Sequence, residues 1–243
     1  MEFERIWQAP PFSVDFVDGE GGDLVIAFSS IGHDPSRPPS PEFVATATGR
    51  GTGAGPRRAL FVMDASRSWA NDPGFASALR GALARVEARA PVRRIATIGG
   101  SMGGFCALAA AQVIPVDAVL AFSPQYSVMP AIFPGETRWS RWTGQIRDFA
   151  WPSAPLPGRG QGWACLFHGA RDDLAQASRF ERKPGTDHLI FPSLGHSDLV
   201  PHLKRRGVLS GLVEAAFEGD RRRLLRIAAS SGGILRHRFS ARF

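Results

Sequence analysis

Cysteine is scarce in this chain of 243 residues: Cys106 and Cys165 are the only two. Both stand within apolar runs and read as small buried hydrophobes, so neither a disulfide nor a metal site is expected. Lysine is equally scarce, with Lys183 and Lys204 the only two among 29 basic residues, a bias that coding preference explains as readily as guanidinium chemistry. No run of about eighteen apolar residues exists, which excludes a membrane-spanning helix. The first residues, MEFERIWQAPPF, hold two early acids and no apolar core of a secretory signal, so a cytoplasmic location is expected. There is no internal repeat and no low-complexity tract. The glycines at Gly51-Thr-Gly-Ala-Gly55 and Gly99–Gly104 do not form the phosphate-cradling Gly-x-x-x-x-Gly-Lys-Ser/Thr pattern, which argues against a nucleotide-binding protein, and no cofactor is expected.

The remaining composition is that of an ordinary globular protein, 44% hydrophobic and 21% charged. At this length one domain with a substantial core is expected. The net charge of +7 is unevenly placed. Residues 203–243 carry ten Lys/Arg against three acids, and the preceding residues balance. That end could touch an acidic partner or surface, but a solvated helix face is the simpler reading. Nucleic acid is not an expected partner.

Seven apolar runs have strand length: Phe12–Val17, Asp23–Ser29, Arg58–Met63, Arg94–Ile98, Asp117–Phe122, Trp163–His168 and Asp187–Phe191. Their near-continuous apolar character suits strands covered on both faces. Helices are expected at 73–89, 102–113, 172–182, within 198–217 and at 221–229. This alternation predicts an α/β fold, a mostly parallel central sheet with helices on both faces and its site at the carboxyl ends of the strands. Two segments break the rhythm. Residues 32–56 form a long Pro/Gly-rich loop. Residues 126–162 hold Trp139, Trp142 and Trp151, and are expected to form an irregular or partly helical cap, because three tryptophans in a solvated loop would be costly.

Gly99-Gly-Ser101-Met-Gly103-Gly contains Gly-x-Ser-x-Gly between a strand and a helix. Small residues flanking the serine let strand and helix pass closely, so that its hydroxyl projects from a strained turn beside the free N–H groups of a helix start. A serine hydroxyl is a weak nucleophile that needs a base, and the base needs an orienting group. Downstream, the Trp163–His168 strand runs into Gly169-Ala-Arg-Asp172-Asp173. Asp172 is the favoured acid and Asp173 its competitor, either being suited to cap the next helix instead. The last strand leads to Gly195-His196, a loop histidine able to reach over the sheet edge. His33, His168, His188, His202 and His237 have weaker positions.

The order Ser101, Asp172, His196 on this framework resembles the α/β-hydrolase superfamily over roughly residues 23–217. The resemblance implies a triad in which His196 deprotonates Ser101 while Asp172 orients the imidazole. It also implies an oxyanion hole built from the Met102 N–H and a second donor in the loop after the Asp23–Ser29 strand. That loop, Ser29-Ser-Ile-Gly-His33, departs from the glycine-rich form of many lipases and esterases; Ser30 is preferred over Ile31. The chemistry implied is cleavage of an ester, thioester or amide through an acyl-serine, with acyl transfer or a non-catalytic binding protein as alternatives. The expected partner is a small-molecule or carrier-linked acyl substrate. Tyr126, Trp139 and Trp142 are the candidate substrate-binding residues, and Arg138 and Arg141 could receive an anionic group.

Overall fold

The computed structural model describes residues 1–32, 34, 36–49, 56–158 and 160–240. His33 and the Gly51–Gly55 glycines lie outside the described residues. Among the described residues nine strands make one sheet: β1 (Glu4–Ala9), β2 (Phe12–Val17), β3 (Glu20–Phe28), β4 (Arg57–Asp64), β5 (Arg94–Gly100), β6 (Ala118–Phe122), β7 (Trp163–Gly169), β8 (Thr186–Phe191) and β9 (Ile234–Leu235). Their spatial order is β1-β2-β4-β3-β5-β6-β7-β8-β9. The six strands from β4 to β8 in that order run parallel, and β1, β2 and β9 extend the edges antiparallel. From β3 the chain passes to β4 on one side, and from β4 it crosses back to β5 on the other side of β3. A crevice outside the carboxyl ends forms at such a reversal of strand order.

The helices are α1 (Val44–Thr48), α2 (Phe75–Glu87), α3 (Met102–Ala110), α4 (Ser140–Thr143), α5 (Ala170–Arg179), α6 (Leu199–Arg205), α7 (Leu209–Phe217) and α8 (Arg221–Ser230). Side chains alternate across each strand. Leu24, Ile26 and Phe28 therefore pack with Phe75 and Leu79 of α2 and Phe105 and Leu108 of α3. Val25 and Ala27 pack on the other face with Leu212 and Val213 of α7. Burial on both faces is why these strands read as unbroken apolar runs.

Several expected bounds shift. β1 carries no apolar signal because it is an edge strand whose side chains are mostly exposed. The helix expected within 198–217 is two, α6 and α7, separated at Gly207, which has φ 67°. α5 begins at Ala170 rather than Asp172. The basic end is built into the body: β9 pairs with β8. Arg221 holds Asp187 with two hydrogen bonds of 2.5 Å, and Arg223 pairs with Glu218 at 2.6 Å. Cys106 and Cys165 are free and buried, and burial raises both thiols well above their ordinary range. Among the described residues no helix is long and apolar enough to cross a membrane.

The 126–162 segment joins β6 to β7. Tyr126, Trp139, Trp142, Ile146, Phe149, Trp151 and Leu156 are partly buried against the core cluster on the α2/α3 face. Its backbone is tied down as well. The Trp151 N–H donates to Asn71 Oδ1 at 2.7 Å, and the Ala154 N–H to the Tyr126 carbonyl at 2.7 Å.

Candidate active site

Ser101 sits between β5 and α3 with φ 54° and ψ −122°, a conformation that L residues rarely adopt. Both flanking glycines are required by close approach. A Cβ on Gly99 would lie 2.2 Å from the Gly103 carbonyl, and one on Gly103 would lie 2.3 Å from the Phe28 carbonyl oxygen. The five-residue spacing therefore brings the start of α3 against both β5 and the end of β3. Met102 is the buried first residue of α3, where helix geometry supplies no intrahelical acceptor for its N–H.

His196 Nε2 lies 2.9 Å from Ser101 Oγ. Its Nδ1 lies 2.9 Å from each oxygen of Asp173. The acid on the imidazole is thus Asp173, which corrects the preference for Asp172. Because α5 starts two residues earlier than expected, both acids stand in its first turn, and adjacent helical residues point about 100° apart. Asp173 shares the inner face with Gln176, Ala177 and Phe180, all buried, while Asp172 is exposed. That spacing of buried positions is the signal the sequence carries. Asp172 instead accepts the His196 backbone N–H at 2.5 Å. Gly195 makes room for this contact, since a Cβ there would stand 3.0 Å from Asp172 Oδ2.

A carboxylate only accepts hydrogen bonds, so His196 carries its proton on Nδ1 and Nε2 is left to accept from the Ser101 hydroxyl. Burial opposes charge on Asp173. The hydrogen bond from His196, with the charges of His196, His168 and Arg138, outweighs burial and holds the Asp173 carboxyl below the ordinary carboxylate range.

Sequence reasoning missed Gln125. This residue is 1% exposed, and its Nε2 donates to Ser101 Oγ at 3.1 Å. The amide cannot turn over, because Trp69 Nε1 donates to its Oε1 at 2.8 Å. Trp69 belongs to a buried turn after β4 in which Arg67, Trp69 and Ala70 all have positive φ. Asp64 holds that turn by accepting from the N–H and hydroxyl of both Ser66 and Ser68, at 2.6–2.9 Å. Arg67, 5% exposed, donates to the carbonyls of Ile31 and Arg37 at 3.1 and 2.8 Å and braces the loop after β3. Apart from the local turn around Asp64, no sequence pattern announces these contacts, since each joins residues at least 24 positions apart.

The remaining candidates fall in different places. Ser30 stands in the loop after β3, its hydroxyl donating to Glu42 at 2.6 Å and accepting from the Gly32 N–H at 3.0 Å. Trp139 lies against the His196 ring, 5.5 Å between centroids. Trp142 stacks under Arg67 and Arg141, and Tyr126 packs edge-on to Phe180. Arg138 is ion-paired with Glu136 and Asp173. His168 and His188 meet at 2.8 Å behind the site, and His168 Nε2 donates to the Pro124 carbonyl. Burial lowers both imidazoles, His168 to about 4. Among the described residues, no group of acids, histidines or cysteines is arranged to hold a metal ion.

No protein-family model matches the chain, and no curated protein matches it in sequence. Solved structures do resemble it. The acylaminoacyl peptidase of Pyrococcus horikoshii is 12% identical with a TM-score of 0.60, over 89% of this chain and 41% of its own. An esterase of Pyrococcus furiosus is 13% identical with a TM-score of 0.56, over 88% of each chain. The capsule O-acetyltransferase of Neisseria meningitidis serogroup A is 12% identical with a TM-score of 0.55, over 84% of this chain and 92% of its own. At such low identity it is architecture that is shared: with its parallel core and helices on both faces, this chain has the fold of the α/β-hydrolase superfamily.

Proposed function

We propose that this chain is a serine hydrolase or acyltransferase acting on an ester through an acyl-Ser101 intermediate. The observation that carries this reading is the continuous line from Asp173 through His196 to the Ser101 hydroxyl, each step at 2.9 Å. In the first half-reaction Ser101 Oγ forms a bond to the acyl carbon while its proton passes to His196 Nε2. The carbonyl oxygen takes the negative charge. As the tetrahedral species collapses, the carbon–oxygen bond to the alcohol breaks and His196 returns the proton to the leaving oxygen. In the second half a water or hydroxyl acceptor gives its proton to His196 and attacks the acyl carbon; the bond to Oγ then breaks and His196 returns the proton to Ser101. Asp173 fixes the tautomer throughout and balances the imidazolium charge.

The Met102 N–H is the proposed first donor to the oxyanion, with a second from Ser30 in the loop after β3. Donors fixed in place before charge develops need no reorganisation during the reaction. Gln125 steadies the nucleophile, its N–H directing one lone pair of Oγ while the hydroxyl hydrogen faces His196. Trp139, against the imidazole, is the foremost of the substrate-facing aromatics, followed by Trp142 and Tyr126. The fold shared with both an esterase and an O-acetyltransferase keeps water and a second hydroxyl compound open as acceptors.

A fluorophosphonate probe followed by a panel of acyl esters tests the reading, with Ser101→Ala as control. Labelling at Ser101 and turnover that vanishes in Ser101→Ala are expected. Folded protein that resists the probe at Ser101 would make this a binding protein on a hydrolase fold. Product analysis with an added alcohol or saccharide separates hydrolysis from transfer.

A further inference from the structure

The Asp173 carboxylate has a second cation. Arg138 Nη1 donates to Asp173 Oδ1 at 3.0 Å, the same oxygen that faces His196 Nδ1. Arg138 is also held by Glu136, with Nε on Oε1 at 2.8 Å and Nη2 on Oε2. The Glu136 side chain is 3% exposed, and its Oε2 accepts from Gln176 Nε2 at 3.1 Å. Gln176 stands one turn beyond Asp173 on the inner face of α5. Next in the chain, Trp139 lies under the Arg138 guanidinium, 5.7 Å away, and against His196. Residues 136–139 therefore grip the acid, the base and the helix that carries the acid.

Resting on the function proposed above, we propose that Arg138 and Glu136 are positioning residues that set how strongly Asp173 holds the imidazolium of His196, so that the 126–162 segment controls the protonation of the site. The physics is a row of alternating charges: Glu136 negative, Arg138 positive, Asp173 negative, His196 positive when protonated. Arg138 remains protonated at all working pH. It attracts the Asp173 charge and repels the imidazolium, so it weakens the proton affinity of His196. Glu136 offsets Arg138 and weakens that effect. Removing Arg138 and removing the charge of Glu136 must then act in opposite directions, whereas a merely structural tie would show the same sign for both losses.

Other groups around His196 stay constant in this comparison. Asp172 accepts its backbone N–H. Asp198 accepts the Gly195 N–H and lies 3.8 Å from Arg171. His168, on β7, is kept neutral by burial, and the Ser123 hydroxyl bonds the His196 carbonyl at 3.4 Å.

The experiment is an NMR titration of the His196 ring in the full chain carrying Ser101→Ala, which removes any need for turnover. Arg138→Met, Arg138→Lys and Glu136→Gln are compared with that parent. Arg138→Met is expected to raise the midpoint, because it removes a like charge beside the imidazolium. Glu136→Gln is expected to lower it, and Arg138→Lys to leave it within a few tenths. The acid limb of kcat/KM in the Ser101 protein should move with these midpoints. Midpoints that move in one direction in both charge-removing variants, or that do not move, overturn the proposal. If Arg138→Met does not fold, Glu136→Gln decides alone: no downward shift ends the idea. Opposite shifts in a chain that never labels at Ser101 would uphold the electrostatic coupling and defeat only the catalytic reading.

Discussion

Asp172 and Asp173 differ by one position and by almost everything else. The side chain of Asp173 is 2% exposed and bonded to an imidazole; that of Asp172 is at the surface and holds a backbone N–H. Asp173→Asn would keep the shape but stabilise the wrong tautomer of His196, and a loss of about 10⁴ in kcat is expected. Asp172→Asn leaves an acceptor for the His196 N–H and should cost less than about tenfold, in line with one hydrogen bond of roughly 1 kcal/mol. Steady-state kinetics on any ester found in the panel would decide; equal losses would return the two acids to equal standing. Gln125 shows the same principle on a neutral group, since its amide is useful to Ser101 only because Trp69 fixes which end faces the hydroxyl.

For the strand–turn–helix unit of β5 and α3, close approach decides. Gly103→Ala places a Cβ 2.3 Å from the Phe28 carbonyl oxygen, which cannot yield without shifting β3 or α3. Overpacking of this kind typically costs about 1–3 kcal/mol, and a lowered midpoint in denaturant titration is expected. The same shift would move the Met102 N–H, so kcat should fall in protein that is still folded. An unchanged midpoint and unchanged kcat would show that the contact relaxes freely. In the turn after β4, strain is absorbed by Asp64 and its four hydrogen bonds. Five of the six described non-glycine residues with positive φ follow β4, β5 or β6, the strand ends that frame the serine.

Across the whole fold, two consequences follow from burial. His168 is fully buried with its imidazole lowered from 6.5 to about 4. The unfolded chain takes up this proton as pH falls below about 6.5, and the folded chain does not until about 4. Stability is therefore lost between these values, by about 3 kcal/mol, since each tenfold loss of proton affinity is worth about 1.4 kcal/mol. His188, also lowered by burial, acts in the same sense. Urea unfolding between about pH 6.5 and 4.5 should show this slope, and His168→Gln should flatten it; an equal slope in the variant would assign the loss to other groups. The second consequence concerns the basic end. Because β9 covers the edge of β8 and Arg236 donates to the carbonyls of Ser178 and Phe180, truncation after Ser230 should lower the melting temperature by about 2–4 °C, the shift that a loss of about 1 kcal/mol produces at this size. A truncated chain that melts with the parent would mean that this edge contributes nothing.

The alternation of apolar runs and helical stretches was enough to specify a parallel α/β sheet, because burial on both faces leaves its mark residue by residue. The glycine–serine turn and the Gly195-His196 loop were equally readable, since each depends on local backbone geometry. Which aspartate meets the imidazole depended on where α5 starts, a boundary shift of two residues that rotates every side chain on the helix. Gln125, Trp69 and Arg67 carry no pattern along the chain, and although Arg138 was legible as a binder of an anionic group, its meeting with Asp173 was not. Their partners lie on other elements, and only the packing of those elements brings an amide to a hydroxyl or a guanidinium to a carboxylate.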